Sequence, residues 1–211
     1  MKNSWPRMLT GRDELTYTNI VYLLDKACAD DIASRGGELQ KTEEYKLQVT
    51  KMAELLCLSH RTFGMLLRGG IGNGKSTLLR ALSMLSSNLA LHGFDVYEHA
   101  KFVYKTAIQV FDMYANDHEG YNELKTVTHL IIDEVGVEPA ELNFFGSQVQ
   151  PIKELLYARY DEFKYTVLGT NLSMKGLAEK YDDQRLTDRL KEMYPQERWI
   201  VFTAQTFRGR K

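Results

Sequence analysis

Cysteine and proline are scarce in this sequence, and it has neither a long apolar run nor an excess of one charge. Its two cysteines, Cys28 and Cys57, lie in helix-like apolar patterns and make neither a disulfide framework nor a zinc knuckle. Four prolines leave no proline-rich linker, and no internal repeat or low-complexity stretch occurs. No apolar run reaches the roughly 18–20 residues that a membrane span requires. The opening MKNSWPRMLTGRDELTY holds no apolar stretch of signal-peptide type. The expectation is a soluble, cytoplasmic protein with no membrane partner. His60, His92, His99, His118 and His129 fall at no metal-ligand spacing such as H-E-x-x-H, so no zinc is expected.

What is present argues for a folded domain. With 44% hydrophobic residues the 211-residue chain is too apolar to be disordered and long enough to bury one proper core. Net charge is -1, but residues 185–211 carry seven Lys/Arg against three Asp/Glu. A basic end of this kind serves either as a nucleic-acid contact or as an ordinary solvated surface.

Helical spacing of apolar residues runs through 16–35 and stops at Gly36-Gly37; a second helix is expected over Glu43–Leu58. From Phe63 onward, short apolar runs alternate with helical ones. Strands are predicted at Met65–Arg68, Asp95–His99, His129–Asp133, Thr166–Thr170 and Trp199–Thr203. Between them fall helices Ser76–His92, Ala100–Asn116, Val149–Phe163 and Ser173–Met193, the last broken near Tyr181. Five strands separated by helices make an α/β fold with a parallel sheet covered on both faces. Residues 1–60 read as a short N-terminal helical region and 61–211 as the α/β core. The Met and Tyr stripes, at helical spacing, read as core.

The strongest motif is GGIGNGKST, Gly69–Thr77, which fits G-x-x-x-x-G-K-[ST] through Gly69, Gly74, Lys75 and Ser76. With Gly at about 7% of residues, a chance match in a chain this long is roughly a one-in-a-hundred event. The loop Gly69, Gly70, Ile71, Gly72, Asn73, Gly74 lets the backbone wrap phosphate oxygens with its N–H groups. The following helix, with Lys75, Ser76 and Thr77 in its first turn, adds the positive end of its dipole. Lys75 suits the β- and γ-phosphates and the Ser76 hydroxyl suits a magnesium ion, so ATP and Mg²⁺ are the expected cofactors.

Three further elements fit the same chemistry. In THLIIDEVG (Thr128–Gly136) an apolar strand ends in Asp133-Glu134; Asp133 suits the magnesium shell and Glu134 a base that activates water. Asp133-Glu-Val-Gly136 also satisfies the D-x-x-G of GTPases, but no N-K-x-D occurs, which favours ATP. In TVLGTNLS (Thr166–Ser173), Asn171 either contacts the γ-phosphate or attacking water, or caps the next helix. In QRLTDRLKEM (Gln184–Met193), Arg185 and Arg189 lie four apart on one helix face. They serve either a phosphoryl group across a subunit boundary or salt bridges to Asp182, Asp188 or Glu192.

Together these motifs, with LLYARY (Leu155–Tyr160) and the closing TAQTFR, resemble the DnaC/IstB group of AAA+ ATPases, bacterial helicase loaders and transposon ATPase subunits. The resemblance covers 61–211. It implies a P-loop NTPase of the AAA+ (ASCE) class with sheet order 5-1-4-3-2 and little or no C-terminal helical lid. It further implies that Asn171 is the sensor, that Arg189 in D-R-L is the arginine finger, and that Arg185 is its neighbour at the nucleotide. The activity implied is ATP hydrolysis, slow without a partner, in a nucleotide-dependent homo-oligomer. The partners implied are a replicative helicase or another DNA-remodelling client, and single-stranded DNA. Loaders of this group usually carry a helicase-binding region ahead of the ATPase, whereas here only about sixty residues precede the phosphate loop. A transposon or phage ATPase and a nucleotide-dependent assembly switch with incidental hydrolysis therefore stay open. A small-molecule kinase fits less well, because no acceptor pocket or arginine-rich lid is legible.

Overall fold

The computed structural model describes residues 17–57, 63–91 and 101–203. It opens with α1 (Tyr17–Ala33) and α2 (Glu43–Cys57), followed by β1 (Gly64–Gly69), α3 (Lys75–Leu91), β2 (Phe102–Thr106), α4 (Ala107–Asn116) and α5 (His118–Thr126). Then come β3 (His129–Val135), a hairpin of β4 (Leu142–Phe144) and β5 (Ser147–Val149), α6 (Pro151–Asp161), β6 (Tyr165–Thr170), α7 (Met174–Tyr181), α8 (Gln184–Met193) and β7 (Trp199–Phe202).

Five parallel strands form one sheet in the order β2-β3-β6-β1-β7. Numbered only among themselves and read from the β7 edge, that is 5-1-4-3-2. Because side chains alternate along a strand, each strand feeds two cores. Met65, Leu67, Ile131, Val167 and Ile200 pack with α1, α2 and α3. Leu66, Leu130, Ile132 and Leu168 pack on the other face with α4 through α8. Burial on both faces is why these strands read as continuous apolar runs. Leu23, Leu24, Ala27 and Cys28 of α1 enter the first core, so residues 17–57 share a core with the sheet.

The strand expected at Asp95–His99 lies in residues 92–100, outside the described residues, as does most of TAQTFR. The helix expected over Ala100–Asn116 needs correction, because Phe102–Thr106 is instead β2, in register with β3 from Phe102↔His129 to Thr106↔Asp133. Its Phe-Val-Tyr-Lys-Thr content favours an extended chain. Thr106 then starts α4 through a capping box with Gln109. The helix α5 and the β4–β5 hairpin were not expected from periodicity. The break near Tyr181 is real: Asp182 takes φ +45° and Asp183 caps α8 by accepting from Leu186 N.

Arg159 on α6 is fully buried without a carboxylate partner among the described residues. It donates to Thr166 Oγ1 (2.8 Å) and to the carbonyls of Leu124 (2.6 Å), Val127 (2.9 Å) and Tyr165 (2.7 Å). Burial pulls its guanidinium down to about 10. One cation thus joins the end of α5, the approach to β3, α6 and the start of β6.

Candidate functional site

The carboxyl ends of β1, β6 and β3, adjacent in the sheet, bring three sequence motifs to one edge. Such an edge is where open parallel sheets bind ligands. A cavity of about 580 Å³ opens there, bounded by the loop from Ile71 to Thr77, by Asp133, Glu134 and Asn171, and by Arg35 and residues 37–40 after α1.

The phosphate-loop motif forms a tight turn between β1 and α3. Gly72 and Gly74 adopt φ +79° and +98°, which an L side chain rarely takes. Asn73 is buried; its Nδ2 donates to Phe202 O (3.2 Å) and ties the loop to β7. Lys75 Nζ donates to the carbonyls of Gly69 (2.7 Å) and Gly70 (2.6 Å) and to Asn73 Oδ1 (3.1 Å). Burial holds its pKa below the ordinary lysine value, while the charges of Asp133 and Glu134 oppose that. Gly69 and Gly70 therefore act as acceptors for Lys75, whereas Ile71 through Thr77 face the cavity.

Opposite the loop, β3 carries one extra residue against β6: Ile132 pairs with Leu168 and Val135 with Thr170. The bulge falls on Asp133-Glu134 and re-aims both side chains. Asp133 is buried, accepting from Tyr104 OH (2.7 Å) and from Glu134 N (2.8 Å). Glu134 is exposed and takes φ +59°, a left-handed conformation that strains a residue with a Cβ. Gly169 on β6 makes room for the acid: a Cβ there would lie 2.5 Å from Asp133 Oδ1.

Asn171 follows β6 directly and lines the same cavity. Thr170 Oγ1 donates to Val135 O (2.6 Å) and accepts from Leu172 N (3.0 Å), fixing this turn to the end of β3. The cap of α7 is Ser173, whose Oγ accepts from Gly176 N, so Asn171 is not the helix cap.

Arg185 and Arg189 lie on α8, outside the residues that line the cavity. Arg185 is exposed. The Arg189 guanidinium stands 4.4 Å from the Tyr157 ring centre and 4.7 Å from that of Tyr160, with Asp161 at 3.3 Å. None of Asp182, Asp188 or Glu192 is its partner: Asp188 pairs with Lys191 and Glu192 accepts from Tyr160 OH.

Several residues at or behind the cavity wall had no signature in the sequence. Tyr104 reaches Asp133 from β2, and it also meets Arg80 of α3. Arg80 in turn holds Asp31 of α1. Gly169 carried a usable signal, since a glycine inside an apolar strand marks close approach of another group.

The donor set fits ATP with magnesium. The loop from Ile71 to Thr77 lines the cavity, Lys75 offers a cation, and the Ser76 hydroxyl and Asp133 carboxylate are hard oxygen ligands of the kind Mg²⁺ takes. Among the described residues no cluster of three or more His, Cys, Asp or Glu forms another metal site. No described helix is long and apolar enough to cross a membrane.

No family model matches the sequence, and no curated protein matches it. Among solved structures the chain is similar to a protein described as a primosome component of Streptococcus pyogenes serotype M3, with TM-score 0.56 and 19% identity over 81% of this chain and 84% of that one. It is similar to DnaI, with TM-score 0.56 and 18% identity over 81% of this chain and 88% of that chain. It is also similar to the replication initiator DnaA bound to AMPPCP and single-stranded DNA, with TM-score 0.52 and 18% identity. That match covers 92% of this chain and about half, 52%, of DnaA. The fold of this chain is thus one it shares with DnaI and DnaA.

Proposed function

We propose that this protein binds ATP with Mg²⁺, hydrolyses it to ADP and phosphate, and uses the cycle in DNA replication to load or remodel a helicase on single-stranded DNA. The observation that carries the reading is the shared cavity. A loop with Gly72 and Gly74 at positive φ closes on Lys75, and Asp133, Glu134 and Asn171 face it from two neighbouring strand ends. A loop of this kind without acids opposite it would bind phosphate; the acids add a means of hydrolysis.

Lys75 exchanges its carbonyl partners for the β- and γ-phosphates. Glu134, exposed at the cavity edge, takes a proton from water as the water oxygen bonds to the γ-phosphorus and the bond to the β-bridging oxygen breaks. Asn171 orients that water or the γ-phosphate. When bound, Mg²⁺, held by Ser76 and the shell around Asp133, neutralises charge on the phosphates. Arg189 of one subunit completes the site of the next in a nucleotide-dependent homo-oligomer, with Arg185 beside it. Residues 61–211 act as the ATPase core and the helices before them as its N-terminal extension.

The likeness to DnaI, the primosome component and DnaA bound to single-stranded DNA supports a place in replication. The basic charge of residues 185–211 supports contact with DNA. Calorimetric titration with a non-hydrolysable ATP analogue tests the core of this reading. Lys75→Ala removes the cation at the terminal phosphates, so affinity should fall by about tenfold or more, roughly 1.4 kcal/mol. Equal affinity for both proteins would mean that the loop binds no phosphate.

A further inference from the structure

The cavity has a second positively charged wall, formed by the turn that ends α1. Ser34 N bonds Asp30 O, Arg35 N and Gly37 N bond Ile32 O, and Gly36 N bonds Ala33 O. These bonds fix the Arg35 backbone at the rim of the cavity. Its side chain crosses to the phosphate-loop helix: Nη2 lies 3.2 Å from Thr77 Oγ1 in the first turn of α3. The same arm is held from behind, with Nε donating to Asp31 O (3.1 Å) and Nη2 to Asp31 Oδ2 (2.5 Å).

The obvious structural role for Arg35 is to balance Asp31, but Asp31 already has a partner. Arg80 grips its carboxylate through Nε (2.9 Å) and Nη2 (3.3 Å). Two arginines on one carboxylate leave an excess positive charge beside Thr77. The Arg35 side chain is 52% exposed against 8% for Asp31. Among the described residues no acceptor takes the two hydrogens of its Nη1. A planar cation, anchored on one edge and free on the other, suits a phosphate oxygen.

Position along the cavity decides which phosphate. Lys75, Asp133 and Glu134 mark the end where the terminal phosphate reacts. Ile32 and Leu39 provide apolar surface on the α1 side. Thr77, two residues beyond Lys75 on α3, lines the same cavity and is met by Arg35 from the α1 side. We propose that Arg35 binds the α-phosphate of the nucleotide from within the same subunit, a contact common to nucleoside di- and triphosphates. The proposal rests on the nucleotide-binding reading of this cavity. It makes occupancy felt in α1, because the Asp31 that anchors Arg35 is itself anchored by Arg80 on α3.

Arg35→Met keeps the length of the stem and leaves Asp31 paired with Arg80, so the protein should fold with an unfolding midpoint near that of the wild type. In calorimetric titrations it should bind AMPPCP and ADP more weakly by the same factor, about tenfold or more for a lost charged contact. Adenosine should bind both proteins alike. Arg35→Lys, with its charge kept and its fork lost, should fall between them, and it carries the test if the Met variant folds poorly. Unchanged affinity for both nucleotides overturns the proposal. A loss confined to AMPPCP also overturns it, since that places the arginine at the γ-phosphate. A wild-type protein that binds neither nucleotide sinks the underlying reading and this one with it.

Discussion

Replacing Arg159 by Met should destabilise the protein by about 3 kcal/mol, and the structure says why the effect is not larger or of opposite sign. The guanidinium makes four hydrogen bonds, one to Thr166 Oγ1 and three to main-chain carbonyls. At the low end of the range for charged groups, about 1.5 kcal/mol each, their loss amounts to roughly 6 kcal/mol. Against this, burial pulls the guanidinium down to about 10. Losing that costly burial offsets part of the loss, which leaves about 3 kcal/mol, the low end for a buried charged network broken from one side. Methionine fills the space of the stem with little overpacking. Buried ion pairs are sometimes replaced by apolar residues with a gain in stability, because both partners leave together. Here the partners are fixed carbonyls of Leu124, Val127 and Tyr165, which no side-chain substitution removes. Urea unfolding should show a midpoint lower by about 1 M at an unchanged slope of about 2–3 kcal/mol/M. The melting temperature should drop by roughly 6–12 °C. A loss under about 1 kcal/mol, or any gain, would refute the claim that these carbonyls depend on Arg159.

Glu134→Gln should keep nucleotide affinity while lowering turnover about a hundredfold or more; loss of both together would make the residue structural. Glu134→Gly should also abolish turnover, yet raise stability by about 1 kcal/mol, because glycine takes the φ of +59° without strain; denaturant midpoints decide this. Arg189→Ala should bind ATP nearly normally and hydrolyse it poorly, and mixing it with Lys75→Ala should restore part of the activity; activity per subunit that stays flat on dilution, with no rescue, would count against a finger shared between subunits. Cys28 is buried, with its thiol pushed up to about 12, and Cys57 is exposed. A neutral-pH thiol reagent should therefore titrate one cysteine in the native protein and two after denaturation; two fast thiols in the folded protein would contradict the packing of α1.

The sheet was legible because its strands are buried on both faces, so Met65–Leu67, Leu130–Ile132 and Val167–Leu168 stand out as unbroken apolar runs. At β2 the same logic fails. It is an edge strand, and Val103 and Tyr104 are only half-buried, so its pattern blends into the helix that follows. The capping box of Thr106 and Gln109 was the mark of that boundary. Phosphate-loop residues could be read from spacing because one continuous turn holds them. Asp133 could be paired with the loop from its place at the end of an apolar strand, whereas Asn171 could be placed there only once the order of β1, β6 and β3 was implied by resemblance. Tyr104, Arg80 and Arg35 could not be read at all. Each meets its partner across elements far apart in sequence, and a tyrosine in a strand or an arginine on a helix has many ordinary uses. The bulge that turns Glu134 outward was equally silent, since no residue type in LIIDEVG requires it.

The charge arrangement around the cavity bears on why hydrolysis here should depend on a neighbour. On the described walls, Lys75 feels the charges of Asp133 and Glu134, and Arg80 is committed to Asp31. Arg35 stands at Thr77, away from those acids. A nucleotide bound here with Mg²⁺ would meet one lysine at its terminal phosphate and no second side-chain cation from the described walls for the negative charge that spreads over the γ-oxygens as the bond breaks. Arg189 is a spare cation, but it lies on α8 outside this lining. Its hold is light: two ring contacts of about 0.5–1 kcal/mol each and a partly exposed ion pair worth less than about 1 kcal/mol. Releasing it costs about 2 kcal/mol. An arginine delivered to a transferring phosphoryl group accelerates the reaction by about 10³–10⁵, roughly 4–7 kcal/mol. The exchange is favourable when a neighbouring subunit presents the phosphate. Within a single subunit Arg189 stays on Tyr157 and Tyr160, so the proposed hydrolysis should be slow in a monomer and faster in an assembly.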